Sequence, residues 1–277
     1  MSVRKVMMVA LRVTWVVYAG LIVGRLAGLP LAWWVVLAPL AVLLALGLGQ
    51  SGVSRRSRAL RANPVPAVEV AVPVAGRWSV LNSPADKVPS HGTHGYGQTY
   101  AIDIIAEPAP GARPAFARFW PVARRSEDFP AFGEPLYAVA DATVVRAADH
   151  RRDHLSRNSL PAVAYLLLLE SAVREMGGAG LIVGNHVVLD LGDGTYAMYA
   201  HLQRGSLQVR AGDRVREGQL LARCGNSGNS SEPHLHFQLM DDPDLDVAAG
   251  IPFSWRGIGV PANGEVFRAG GPPLSQP

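Results

Sequence analysis

The sequence predicts a mainly β body, an antiparallel sheet or β-sandwich carrying one inserted helix, preceded by helices that cross a membrane. Three observations predict it. The first 61 residues hold eight Lys and Arg and no acid, set around two long apolar runs. Residues 77–257 are mostly short, β-branched apolar runs separated by Gly, Asn and Asp, the pattern of strands and turns. One stretch, LPAVAYLLLLESAVREM at 160–176, breaks that rhythm with the length and composition of a helix.

The charge follows the same division. The chain has 277 residues, with 26 Lys+Arg against 22 Asp+Glu. Eight of the basic residues fall before position 62, so the body keeps 18 against 22 and is acidic. A basic balance made this way argues against a nucleic-acid surface, which needs Lys and Arg clustered on the folded part. An apolar content of 49% excludes disorder throughout. The single Cys224 excludes an internal disulfide framework and a Cys-rich zinc knuckle.

Residues 30–49, PLAWWVVLAPLAVLLALGLG, are uncharged and supply the roughly 20 apolar residues of one bilayer span. Trp33 and Trp34 stand near the start, where belt aromatics lie, and Arg55, Arg56, Arg58 and Arg61 follow the end. A cleaved signal peptide would have a shorter apolar region and a small-residue cleavage site. Residues 6–24 form a second expected span, weakened by Arg12 inside it. Together they predict a membrane anchor of one or two helices over 1–61, a tight hairpin turning at 25–30 where both span. A buried pair of core helices is the alternative.

Three prolines among small residues make 62–76 an expected extended tether. The fold is expected over 77–257, with strands at YAIDII, LYAVADATVVRA, NHVVLDL, TYAMYAHL, QLLARC and HLHFQLM, and with GDGT as a hairpin turn. Residues 108–132, rich in Ala, Pro and Arg, read as a surface loop. The helix at 160–176 ends at Gly177-Gly178 and has too few apolar residues to span a bilayer, so it is expected to lie over the sheet. A lid or docking helix is the other reading. Residues 258–277 are expected to be a loose tail.

The histidines carry the chemistry. In PHLHFQL, His234 and His236 are one residue apart, so on a strand they share a face while Leu235 points into the core. Two imidazoles on one face suit zinc, which binds neutral imidazole nitrogen and carboxylate oxygen. Asp103 sits between Ile102 and Ile104, where an acid is costly to bury unless paired or bound to metal. An Asp simply alternating outward on its strand is the bland reading, and for His201 it is a polar residue at a strand end. His150 and His154 read as solvated loop residues, His186 as a strand residue near the groove, and Cys224 as a small apolar side chain. Residues 226–229 read as a turn that presents the His-x-His strand.

The run GNHVVLDLGDGTYAMYAHLQRGSLQVRAGDRVREGQLLARCGNSGNSSEPHLHFQLMDDPD resembles the catalytic core of the lysostaphin-type (LytM-type) zinc metallopeptidases, which cleave peptide cross-links of bacterial cell walls. GEPLYAVADATVVRA and VPSHGTHGYGQTYAIDI resemble preceding parts of that family. The resemblance covers most of 78–252, with 108–132 and 149–179 as insertions. It implies that Asp103 and His236 bind Zn2+ and that His234 and His201 are the catalytic pair. The family's remaining ligand is a His four residues before the Asp, a position held here by Thr99. The resemblance leaves His91 and His94, with His91 preferred.

On these residues a catalytic zinc held by His91, Asp103 and His236 keeps one open position for water, and His234 and His201 orient that water and meet the oxyanion. The expected function is a membrane-anchored zinc metalloendopeptidase acting on peptide bonds, with peptidoglycan cross-links as substrate. The alternative is a non-catalytic wall-binding or regulatory module of the same fold. A cupin-type site lacks its clustered ligand spacing. Sidedness pulls two ways: a two-span hairpin with basic ends favours the cytoplasm, whereas a wall peptidase must face outward. The expectation is cell-membrane localisation with an extracytoplasmic catalytic body.

Overall fold

A computed structural model describes residues 3–49 and 66–270. Arg55, Arg56, Arg58 and Arg61, the first residues of the expected tether, and the end of the expected tail lie outside the described residues. Two apolar helices come first, α1 (Val3–Leu26) and α2 (Trp33–Gly49), packed on each other. Arg25, at the end of α1, stacks over the Trp33 ring at 4.0 Å and closes the hairpin between them.

The two runs differ in helical length among the described residues. Val9–Leu26 of α1 is long and apolar enough to cross a membrane, whereas the apolar helix of the second run, Trp33–Leu46, is shorter. The uncharged sequence begins at Pro30, but helix starts only at Trp33, which shortens the second candidate. Arg12, the flaw in the first run, is not alone: its Nη2 lies 2.7 Å from Asp246 Oδ1.

The body is mainly β. Its thirteen strands among the described residues are β1 (Val68–Val70), β2 (Gly76–Asn82), β3 (Ile102–Ala106), β4 (Pro135–Tyr137), β5 (Ala142–Ala148), β6 (His186–Gly192), β7 (Thr195–Ala200), β8 (Arg214–Val215), β9 (Leu220–Arg223), β10 (Leu235–Met240), β11 (Gly250–Ile251), β12 (Phe253–Trp255) and β13 (Val266–Ala269). A nine-stranded antiparallel sheet runs β13-β2-β3-β10-β7-β6-β5-β8, with β11 added beside β10. Two small sheets, antiparallel β4–β9 and parallel β1–β12, accompany it. The β6–β7 hairpin turns at Asp193 and Gly194, both at positive φ (50° and 74°), as the GDGT signal requires.

The core lies between one face of the large sheet and the small sheets. Ile102, Ile104, Leu235 and Phe237 meet Leu136, Leu221, Phe253 and Trp255 there. The Phe237 ring stands edge-on to Tyr199 (5.3 Å) and to Phe253 (5.1 Å).

Two segments expected to be loose are built into this body. Within the expected tether, Val68–Val70 pairs with β12, and Val70 and Val74 are core residues, because small apolar side chains between prolines can still fill an edge. Within the expected tail, Val266–Ala269 pairs with β2 and buries Phe267 against Trp255. The alternation in VFRA is too short to outweigh its Gly-rich and Pro-rich surroundings in a reading by composition.

The segment 160–177 is helical. It runs as α3 (Leu160–Tyr165), a π-helical turn (Leu166–Glu170) and α4 (Ser171–Gly177), followed by a short α5 (Ala179–Val183). Ser159 caps α3, its Oγ accepting from the Ala162 amide at 3.3 Å. Ser171 Oγ donates to the Leu166 carbonyl at 2.8 Å, satisfying an acceptor at the π turn.

Candidate metal centre

The site lies on the face of the large sheet opposite the core, where β3, β10 and β7 run side by side. Register makes it: His236 stands opposite Asp103 on one flank and opposite Ala200 on the other. Leu235 and Phe237 take the core face, so His236 and Gln238 take the site face. His201 follows Ala200, and strict alternation would send it toward the core. It leaves β7 at φ 60° instead, a left-handed turn that aims its ring at the cluster.

Asp103 is the hub. Its Oδ2 is 2.8 Å from His91 Nε2, and its Oδ1 is 2.8 Å from His236 Nδ1 and 3.6 Å from His234 Nε2. One ligand atom from each of His91, Asp103 and His236 lies within 4.8 Å of the others, the one such group among the described residues. His94 is not in it; its Nδ1 lies 3.0 Å from Thr99 Oγ1. The geometry therefore brings together His91 and leaves out His94.

The surrounding hydrogen bonds fix which nitrogens face the carboxylate. Gln238 Nε2 donates to the Tyr96 carbonyl at 2.7 Å, so its Oε1 is free to accept from His236 Nε2–H at 3.0 Å. That leaves the His236 Nδ1 lone pair toward Asp103. Ser90 Oγ donates to the Gln98 carbonyl at 3.3 Å and accepts from His91 Nδ1–H at 2.9 Å, leaving the His91 Nε2 lone pair toward Asp103. Two neutral imidazoles thus point acceptors at a carboxylate. The contact is repulsive without a cation, either protons on the rings or a metal, and the donor set of two nitrogens and one oxygen is one that zinc takes. The residues fit a zinc ion by this chemistry.

His201 and His234 flank the group, their ring centroids 4.7 Å apart. Each spends Nδ1–H on a backbone carbonyl, His201 on Ser227 and His234 on Glu232, both at 2.8 Å. Their Nε2 atoms remain to act as base or hydrogen-bond partner. Burial pushes His201 well below its ordinary pKa, with the neighbouring His234 and His236 adding to the effect. Burial also lowers His236, against the pull of Asp103. For His234 the Asp103 carboxylate overcomes burial and raises it. Burial would raise Asp103, but His91 and His234 hold it well below the usual carboxylate range.

Several supporting residues escaped the sequence reading. Gln238 repeats the two-residue spacing of His234 and His236 and was visible as a third member of that face. Glu232, 3% exposed, is gripped by Arg113 and by Asn158 Nδ2 at 2.9 Å, while its carbonyl orients His234. No local signal marks these partners, since they come from 108–132 and from the start of the helical segment. His154 corrects an expectation: it is not a solvated loop residue but reaches the Gly228 carbonyl at 2.8 Å, and burial lowers its pKa. His150 is exposed, as read. His186 opens β6 buried, with Nδ1 2.9 Å from the Gly184 carbonyl, and Cys224 is fully buried, which raises its pKa.

The cluster opens into a cavity of about 1350 Å³. Opposite the histidines its wall is the helical segment, through Val163, Leu166, Leu167, Ser171, Ala172 and Glu175.

Residues 169–246, which hold His201, His234 and His236, match the sequence pattern described as Peptidase family M23. Over 84 residues, 30% of this chain and 23% of the relative, the chain is 38% identical to the glycyl-glycine endopeptidase ALE-1 of Staphylococcus capitis. Over 73 residues, 26% of this chain and 16% of the relative, it is 37% identical to the peptidoglycan DD-endopeptidase ShyA of Vibrio cholerae. It spans under a quarter of the length of these relatives. Among solved structures, lysostaphin of Staphylococcus simulans matches with a TM-score of 0.32 at 21% identity, over 57% of this chain and 45% of that one.

Proposed function

We propose that the chain is a membrane-anchored zinc metalloendopeptidase that hydrolyses peptide bonds of peptidoglycan. One observation carries this reading: His91 Nε2 and His236 Nδ1 each lie 2.8 Å from an Asp103 oxygen, with two further imidazoles beside them, all lining a cavity of about 1350 Å³. The relatives named for glycyl-glycine and peptidoglycan DD-endopeptidases supply the substrate class.

His91, Asp103 and His236 would hold the metal. When bound, zinc supplies a Lewis acid and lowers the pKa of a water toward about 7. His201, kept neutral by burial, has Nε2 free to take a proton from the attacking water. His234, fixed by the Glu232 carbonyl, has Nε2 to donate to the developing oxyanion or to the leaving amine. Gln238 and Ser90 hold their imidazoles in the tautomer that leaves the inward nitrogen unprotonated.

A non-catalytic module would be expected to lack a ligand or one of the flanking histidines, and here each role is filled. The anchor reading rests on α1, whose Val9–Leu26 can span a bilayer, and on the second apolar helix beside it. An extracytoplasmic body follows from the substrate, against the preference of the basic leader. The test combines zinc analysis of the purified full chain with digestion of cross-linked muropeptides, before and after chelation. About one zinc per chain and chelator-sensitive cleavage are expected; zinc-loaded protein that leaves every cross-link intact would refute catalysis. A reporter active only outside the cytoplasm, fused after Gly270, tests sidedness.

A further inference from the structure

The helical segment has two unlike faces. One lines the cavity. The other exposes Tyr165, Leu168, Leu169 and Val173, with Leu168 75% exposed, and residues 160–169 carry no charge. The π turn at Leu166–Glu170 widens the helix where the four leucines 166–169 follow one another.

A second apolar element joins it. Ser159, the cap of α3, donates to the Val122 carbonyl at 2.6 Å, and the Leu160 amide donates to the Ala117 carbonyl at 3.2 Å. These bonds set the loop 116–122 against the start of the helix. That loop exposes Phe116, Phe119 and Trp120, the last at 83%. Residues 108–125 include Arg113, Arg118, Arg124 and Arg125 and no acid, and the Arg118 guanidinium lies 5.6 Å from the Phe119 ring centroid. Arg113 is taken up by Glu232 and Arg125 by Glu127, which leaves the exposed Arg118 among the aromatic side chains; Trp, Phe and Leu beside such a cation are the composition of a surface that sits at lipid headgroups. An exposed apolar patch of this kind on a water-facing body is otherwise a liability.

The patch also continues from the anchor. α1 packs on α4, and Arg12, near the start of Val9–Leu26, pairs with Asp246. The body is thereby held beside the end of the candidate span, so the bilayer surface is within reach.

We propose that the peptidase body docks on its own membrane through Phe119, Trp120 and the Leu168 face of the helical segment, with Arg118 against anionic headgroups. The proposal rests on the anchor reading and is independent of catalysis. Docking leaves the helical segment between lipid and cavity, so one face meets the bilayer while the other bounds the histidine cluster. A body held in this way works on peptide close to the membrane.

The test uses the full chain in liposomes of phosphatidylcholine with and without phosphatidylglycerol. Buried Cys224 leaves engineered thiols as the reactive ones, so an environment-sensitive fluorophore is placed through Trp120→Cys, Leu168→Cys or, as control, Asp193→Cys in the β6–β7 turn. The first two probes should shift to the blue and be quenched by nitroxide-labelled lipid, more strongly with phosphatidylglycerol, and Arg118→Glu should weaken that quenching. The control should stay unquenched. A chain that does not float with the liposomes overturns the anchor and the docking together. A floating chain whose 120 and 168 probes behave like 193 overturns docking alone, as does Leu168→Cys cross-linking between two chains in place of lipid quenching.

Discussion

Replacing Gln238 by Leu tests whether the site is held by hydrogen bonds behind the ligands. Gln238 is fully buried, accepts from His236 Nε2–H at 3.0 Å and donates to the Tyr96 carbonyl at 2.7 Å. Leu nearly matches the volume but leaves both groups unpaired, at about 1–3 kcal/mol each, so roughly 2–6 kcal/mol of stability should go. For a body of this size each kcal/mol is worth about 2–4 °C in Tm. The freed imidazole can change tautomer and turn a protonated nitrogen toward Asp103, and losses of about 10–100-fold in zinc affinity follow loss of such a partner. Stability is measured by thermal unfolding of the metal-free forms, so that weaker metal binding does not enter the comparison, and affinity by competition with a fluorescent chelator. Gln238→Glu separates the two effects: its carboxylate still accepts from His236 but opposes the Tyr96 carbonyl. It should keep the zinc affinity while losing stability. If Leu binds zinc as tightly as Gln, or if Leu and Glu weaken it equally, Gln238 does not position His236.

Four further outcomes are expected. His91→Ala should lose zinc while His94→Ala keeps it, read by metal analysis, because His91 Nε2 lies 2.8 Å from Asp103 Oδ2 and His91 belongs to the three-residue group that could hold the ion. His201→Ala and His234→Ala should each retain about one zinc and lose about 10²–10⁴-fold in kcat, and zinc loss from either would mean that it is a ligand. Gly228→Ala should destabilise by at least about 1–3 kcal/mol in chemical unfolding, since Gly228 sits at φ +76° and its added Cβ would stand 2.4 Å from the Gly184 amide nitrogen; wild-type stability would show that the turn can relax. The metal-free protein should weaken as pH falls from about 6.5 toward 5: burial lowers His154, His186, His201 and His236, so the unfolded chain takes up protons that the folded one refuses. His234, raised by Asp103, contributes stability that is fully present below about pH 6.5 and is lost only as pH rises through its folded value, so it does not offset the loss between about 6.5 and 5. A urea midpoint flat across that range would contradict this balance.

Period-2 patterning fixed much by itself. It put His234 and His236 on one face and Leu235 on the other, and it marked Asp103 between two core isoleucines, because side-chain direction along a strand depends only on position. Turn chemistry marked the β6–β7 hairpin through Asp193 and Gly194, since few residues tolerate positive φ. The helix at 160–177 was legible from its length and its glycine stop.

What tertiary structure decided is wherever residues distant in sequence meet. Spacing could not choose between His91 and His94, because Gly95 and Gly97 free the loop, and only the folded loop, which sets His91 Nε2 2.8 Å from Asp103 Oδ2, does so. His201 reaches the cluster through a left-handed turn that alternation forbids; the cost, of order 1–3 kcal/mol, is sustained by the Val183 and Ser227 backbone around it. Short edge strands at Val68–Val70 and Val266–Ala269 carry too few residues for a pattern and are strands only because a partner waits beside them. Arg12, a defect in an apolar run when read alone, became a paired residue once Asp246 was folded against it, since the desolvation cost of a charge depends on its neighbours and not on its sequence.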